Sequence, residues 1–264
     1  MLHTAGRHGL PELAINVLRV LETIGVDLRE YHFAPIIESF CRTNRIKDAL
    51  SILTMMNQHN IEPNSDTANP IFEAIRVNTD ALDSAWDALE ALHSEGQTVN
   101  ITAVNVVIQA SIALGDLQRA FGTYQICTEL GVKPTLDTYH FLLSGCISAR
   151  HRELGNRLIA EMKEAKIKPD ARTYERLIVL CLTGEIYEDA FFYLEEMKAE
   201  NLYPPLSVYE AIIQRCVLEK DARYAVAVQE LEDFGYTLSP ELERVISGEE
   251  EAGHRQNERR RGEA

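Results

Sequence analysis

The chain contains no hydrophobic run approaching the roughly 20 residues that a membrane-spanning helix needs, so no span is expected. It has one tryptophan, Trp86. Its five cysteines (Cys41, Cys127, Cys146, Cys181 and Cys216) include no close pair of the C-x-x-C kind. Metal sites use such pairs, and a disulfide framework needs partners, so neither is expected. The cysteines read instead as small buried apolar residues. The eight histidines show no ligand spacing either. No Ser/His/Asp, Cys/His or phosphate-loop pattern stands out. The expectation is therefore no enzyme, no cofactor and no metal.

An excess of basic charge is lacking as well. There are 26 Lys and Arg against 41 Asp and Glu, a net charge of −15. The imbalance is uneven. Residues 65–100 carry seven acids and one arginine, whereas residues 136–170 carry six bases and five acids. A nucleic-acid binder usually presents a basic face, and this balance opposes tight electrostatic binding of that kind. An array can still turn a neutral face to a ligand and an acidic one outward. The amino terminus has neither a secretory pattern nor an Arg/Ser-rich transit pattern, so localisation is not read from that end.

What the chain does have is a period. Ala14, Ala49, Ala85, Ala120, Gly155, Ala190 and Ala225 follow one another at steps of 35, 36, 35, 35, 35 and 35 residues. A fixed repeat of that size marks a stack of helical hairpins, each burying its apolar face on its neighbours. All seven small residues are expected where helices approach closely. Pro63, Pro134, Pro169 and Pro204 recur near repeat ends, with Val99 standing in once. Proline cannot continue the helical hydrogen-bond ladder and so stops each second helix. Phe33, Val104, Tyr139, Tyr174 and Tyr209 recur near repeat starts. From Tyr139 the apolar residues Leu142, Leu143, Cys146 and Ile147 fall at helical spacing, and Tyr174 and Phe33 open similar runs. Polar or glycine breaks such as Leu114-Gly115-Asp116 separate the two helices.

These stretches resemble the pentatricopeptide repeat family. Thr138-Tyr139, Thr173-Tyr174 and Val208-Tyr209 are similar to the family's opening step. Met56, Met162 and Met197 match its internal methionine, and Gly131-Val132-Lys133-Pro134 matches its closing motif. Tetratricopeptide repeats share the hairpin, but their tryptophan lies in the first helix, and Trp86 falls in a second. The resemblance covers about residues 9–239. It implies an all-α fold, a right-handed α-solenoid superhelix of helix-turn-helix repeats of about 35 residues. In family phase the units are 30–64, 65–100, 101–135, 136–170, 171–205 and 206–239, after a partial repeat at 1–29. Met1 to His8 reads as the end of a first helix and Gly9 to Leu28 as a second, as in a fragment, a truncated gene model or a protein whose targeting segment is missing. The extra residue of 65–100 is expected in the turn around Val77 to Asp80. Residues 240–247 read as a capping helix. Residues 248–264 read as a disordered charged tail, whose Arg259-Arg260-Arg261 run could touch phosphate.

The resemblance further implies single-stranded RNA as partner, about one base per repeat, read by two or three side chains. Carried over, the reading pairs are Ala34/Asn64, Asn69/Asn100, Asn105/Thr135, His140/Asp170, Glu175/Pro205 and Glu210/Ser239. Asn69/Asn100 and Asn105/Thr135 are the usable ones, with an implied pyrimidine preference. His140/Asp170 can hydrogen-bond but departs from the common combinations. Among the residues expected to sandwich bases, only Tyr31 and Arg172 offer a flat face. At the phosphate-holding position only Arg42 is basic. The plainer account of Asn69 and Asn105 is helix capping. The implied function is a non-catalytic, organellar, hence mitochondrial, RNA-binding protein of RNA processing, stability or translation. The alternative is a protein-binding scaffold, such as an assembly factor or ribosome-associated subunit, using the acidic or groove-lining faces. The repeats are also similar to those of protein-only RNase P, but its nuclease domain has no counterpart here.

Overall fold

The structure is a computed structural model that describes residues 1–248; the expected tail, with Arg259 to Arg261, lies outside them. The chain is an all-α helical repeat solenoid, and there is no strand among the described residues. It divides into two compact units, Met1–Ala149 and Arg150–Ala264.

The first unit holds α1 (Leu2–Arg7), α2 (Pro11–Thr23), α3 (Glu30–Arg42), α4 (Ile46–Gln58), α5 (Ser65–Ile75), α6 (Thr79–Ser94), α7 (Ile101–Ala113), α8 (Leu117–Gln125) and α9 (Leu136–Ser148). The odd-numbered helices pack side by side in a row: α1 on α3, α3 on α5, α5 on α7, α7 on α9. Each even-numbered helix packs on the first helix of its own hairpin and on the next one in the row. The core is therefore a continuous seam, in which Phe33, Ile36, Ile37, Val104, Leu142, Leu143 and Cys146 are fully buried. Each such leucine or isoleucine contributes about 1.5–3 kcal/mol relative to exposure.

The second unit holds α10 (Arg152–Glu164), α11 (Ala171–Leu182), α12 (Glu188–Ala199), α13 (Leu206–Leu218) and α14 (Tyr224–Asp233), with further helix over 240–248. Helix α11 packs on α10, α12 and α13, and α13 on α14. Ile178, Leu194, Tyr209, Ile212, Ile213 and Leu231 form its core, joined by Leu242 and the half-buried Ile246 from the last helix.

Local chemistry explains where the helices begin and end. Asn64, Asn78, Asn100, Asp116 and Asp170 each accept a backbone N–H in the first turn of the helix that follows. At the other end, helices close on a left-handed residue. Gly131 (φ 71) closes the turn that follows α8, and Lys166 (φ 57), which bears the steric cost of its Cβ, closes α10. After α10, the Lys166 N–H donates to Lys163 O and the Ile167 N–H to Met162 O.

Two features depart from expectation. Ala14, Ala49, Ala85, Ala120, Ala190 and Gly155 are buried, but Ala225 is exposed and Ala227 is buried instead. Asp221 and Arg223 organise the turn before α14, so that helix enters late and its register is shifted. The extra residue of 65–100 does not lengthen a loop: Arg76–Asn78 is a three-residue turn, and α6 runs to 16 residues. Pro35, within the helical run that Phe33 opens, and Pro70 lie inside α3 and α5. Each lacks an N–H, and its ring crowds the preceding turn. Both sit in the second helical turn, where only the opening residues are disturbed. Helix α1 exploits the site, because a Cβ on Gly6 would stand 2.8 Å from the Pro35 carbonyl oxygen.

Candidate functional site

The starts of the first helices present the side chains singled out in the sequence, and the structure commits several of them elsewhere. Asn100 is buried. It caps α7, accepting the Thr102 N–H at 2.6 Å, and its amide nitrogen reaches Leu53 O at 3.5 Å. Asp170 caps α11, accepting the Thr173 N–H and the Thr173 hydroxyl, both at 2.8 Å. His140 is buried in α9, with Nδ1 3.9 Å from Asp137 Oδ1.

Asn69 and Asn105 do not cap. The cap residues of α5 and α7 are Asn64 and Asn100, one residue before each helix, while Asn69 and Asn105 lie a full turn inside. No orphan N–H group remains at that depth. Asn69 is exposed. Asn105 is 7% exposed and accepts the Thr138 hydroxyl at 2.7 Å, across from α7 to α9. Thr135, its partner in the expected pair, is exposed and donates its backbone N–H to the same Thr138 oxygen at 2.9 Å. The structure thus brings Asn105 and Thr135 together through a third residue. It records no such link between Asn69 and Asn100.

Similar lateral bonds recur along the row. The Thr67 hydroxyl donates to Glu30, and Ser207 donates to Glu175 at 2.8 Å. Thr102 donates to Pro63 O at 3.2 Å. Sequence reasoning missed these ties, because each joins residues more than 30 positions apart.

Tyr31 is 59% exposed at the start of α3, its ring tilted against His32. Arg172 is exposed, with no carboxylate partner among the described residues. Arg42 is exposed, but its Nε and Nη2 both donate to Glu38 Oε1 at 3.1 Å. Glu38 stands four residues before Arg42, the spacing that pairs charges on a helix, so this partnership was legible in the sequence. Other bases are drawn into pairs about one repeat apart, including Arg45 with Glu12 at 2.6 Å, Lys163 with Glu196 at 3.3 Å, and Arg119 with Asp83. The site is polar and hydrogen-bonding rather than basic. Among the described residues no group of histidine, cysteine or carboxylate side chains could hold a metal, and no helix is long and apolar enough to cross a membrane.

Helical hairpins packed one after another define a repeat protein, with polar side chains at the starts of several first helices. The family comparison makes this specific. The profile described as "Pentatricopeptide repeat-containing protein" matches residues 1–127, and the one described as "Pentatricopeptide repeat domain" matches residues 138–184 and 157–219. The chain belongs to the pentatricopeptide repeat family. Among curated proteins it is similar to "Pentatricopeptide repeat-containing protein 1, mitochondrial" of Mus musculus, at 28% identity over 114 residues. The Rattus norvegicus protein of the same name is 29% identical over 114 residues. Each match covers 43% of this chain and spans 16% of the relative's length. In fold, the chain is similar to the crystal structure of the pentatricopeptide repeat protein PPR10 from maize (TM-score 0.58, 18% identity, 94% of this chain, 36% of that one). It is also similar to PPR10 in complex with an 18-nt psaJ RNA element (TM-score 0.52, 14% identity, 88% of this chain, 39% of that one).

Proposed function

We propose that this chain binds single-stranded RNA along the starts of its first helices and acts without catalysis, in RNA processing, stability or translation. The observation that carries the reading is the Asn105 cluster, a largely buried polar amide near the start of a first helix, held by the next repeat through Thr138. The RNA-bound state of PPR10, which shares this fold, supports it. On this reading the units at 65–100 and 101–135 carry the specific contacts through Asn69 and Asn105. Tyr31 and Arg172 offer flat faces to bases, and Arg42 and Arg172 supply positive charge. Because Asn100, His140 and Asp170 are committed within the fold, reading falls on fewer side chains than the repeat count suggests. A mitochondrial location is supported by the names of the two curated relatives.

A protein-binding scaffold is the second reading. A specific observation favours it: the chain carries a net charge of −15, and bases such as Arg42, Arg45 and Lys163 are already engaged with carboxylates. Crosslinking and immunoprecipitation of the tagged protein, analysed by both RNA sequencing and mass spectrometry, separates the two. Recovery of discrete RNA footprints supports the first. Recovery of stoichiometric protein with no RNA footprint supports the second.

A further inference from the structure

We infer that Thr138 is a positioning residue that fixes Asn105 as a hydrogen-bond donor toward its ligand; this rests on the RNA-binding reading. The argument is one of proton counting. Thr138 is fully buried and has a single hydroxyl proton. Its oxygen accepts the Thr135 backbone N–H at 2.9 Å, and that donor has no alternative role. The hydroxyl proton must therefore go elsewhere. The nearest acceptor is Asn105 Oδ1 at 2.7 Å; Thr135 Oγ1 stands farther off at 3.3 Å, a contact in which either hydroxyl could donate.

The chain of bonds that uses the shortest contacts runs from the Thr135 N–H through Thr138 to the Asn105 oxygen. Turning the Asn105 amide over would give up the 2.7 Å bond and leave the Thr138 proton only the 3.3 Å contact to Thr135 Oγ1. Its amide nitrogen takes no protein partner among the described residues and is not a buried unsatisfied group, so it faces solvent. What Asn105 offers a base is two N–H donors, and the edge it selects must present an acceptor, such as a ring nitrogen or an exocyclic carbonyl.

Two measurements test this. The first is selection of a random 20-nucleotide RNA library on the full chain and on T138V, T138S and N105A. The expected result is that T138V and N105A lose base preference at the same single position of the enriched motif, by about tenfold. T138S, which keeps the hydroxyl, should retain it. A T138V motif identical to that of the unsubstituted chain overturns the inference, as does a uniform loss across all positions, which would mark a merely structural role. If the unsubstituted chain enriches no sequence, the RNA-binding reading itself fails, and the inference with it. The second measurement needs no RNA. A double-mutant stability cycle between T138V and N105A should show coupling, and strict additivity would deny the bond.

Discussion

Tyr187 donates its phenolic hydroxyl to Asp221 Oδ2 at 2.7 Å, tying the start of α12 to the turn that precedes α14. The same carboxylate accepts the Arg223 Nε at 2.7 Å and the Arg223 backbone N–H at 3.0 Å. The Arg223 guanidinium in turn lies 4.4 Å from the Phe191 ring centroid. One carboxylate thus organises two aromatic rings, a cation and a turn.

This arrangement predicts an acid limb in stability. The Arg223 hydrogen bond, with help from Tyr187, holds Asp221 below its ordinary carboxylate value of 3.8. A depressed native pKa contributes stability that is fully present above about pH 4 and is lost as pH falls below it. D221N should cost about 1 kcal/mol at neutral pH, a modest figure because the cluster is partly solvated. Urea denaturation at neutral pH and at about pH 2.5 checks this. The gap between variant and parent should narrow in acid, and a constant gap would remove Asp221 from the explanation.

The two small residues at the carboxyl end of the period should behave oppositely. Ala190 is fully buried and Ala225 is exposed. A190L should overpack its contact and cost about 1–3 kcal/mol. A225L should stay within about 0.5 kcal/mol of the parent. Thermal melts of the two proteins decide the matter, and equal destabilisation would restore the equivalence that the sequence suggests.

The left-handed helix ends give a third pair. Gly131 adopts φ 71 at no steric cost, whereas Lys166 adopts φ 57 with a Cβ. G131A should destabilise by about 1 kcal/mol, and K166G should stabilise by a smaller amount, about 0.5 kcal/mol. Chemical denaturation midpoints measure both. A stabilising G131A would contradict the turn geometry.

For RNA, the Arg42–Glu38 pair sets the expectation. Because Glu38 already neutralises Arg42, R42A should weaken binding only slightly and lower the salt slope by less than about one. E38Q should free the guanidinium and strengthen binding to every sequence alike. Gel-shift titrations at several salt concentrations read both effects. Weaker binding by E38Q would place Glu38, not Arg42, against the ligand.

The repeat architecture was legible in the sequence because it rests on local rules written many times over. The small-residue period, the proline stops and the apolar faces opened by Phe33, Tyr139 and Tyr174 are each read from neighbours a few residues apart. The period misled at Ala225, where the Asp221–Arg223 turn shifts the register and only tertiary structure shows it. At Pro35 the helical spacing opened by Phe33 held against the local propensity of proline. The candidate site was less legible. Residue types marked Asn69, Asn100 and Asn105 alike, yet one is exposed, one is spent on a cap, and one is held by Thr138. Those differences arise from contacts between repeats, and a one-dimensional pattern does not record which neighbour a side chain turns to.

The cysteines spaced along the first helices carry a kinetic consequence. Burial pushes the thiols of Cys41 and Cys146 up to about 12 and those of Cys181 and Cys216 to about 11, so almost no thiolate exists near neutral pH. They lie on α3, α9, α11 and α13 in turn. Cys146, Cys181 and Cys216 are buried, and each becomes reactive only when its own helix opens. Alkylation rates resolved residue by residue would therefore report how often each hairpin breathes. They would also show which repeat a bound ligand quiets, with no probe added to the molecule.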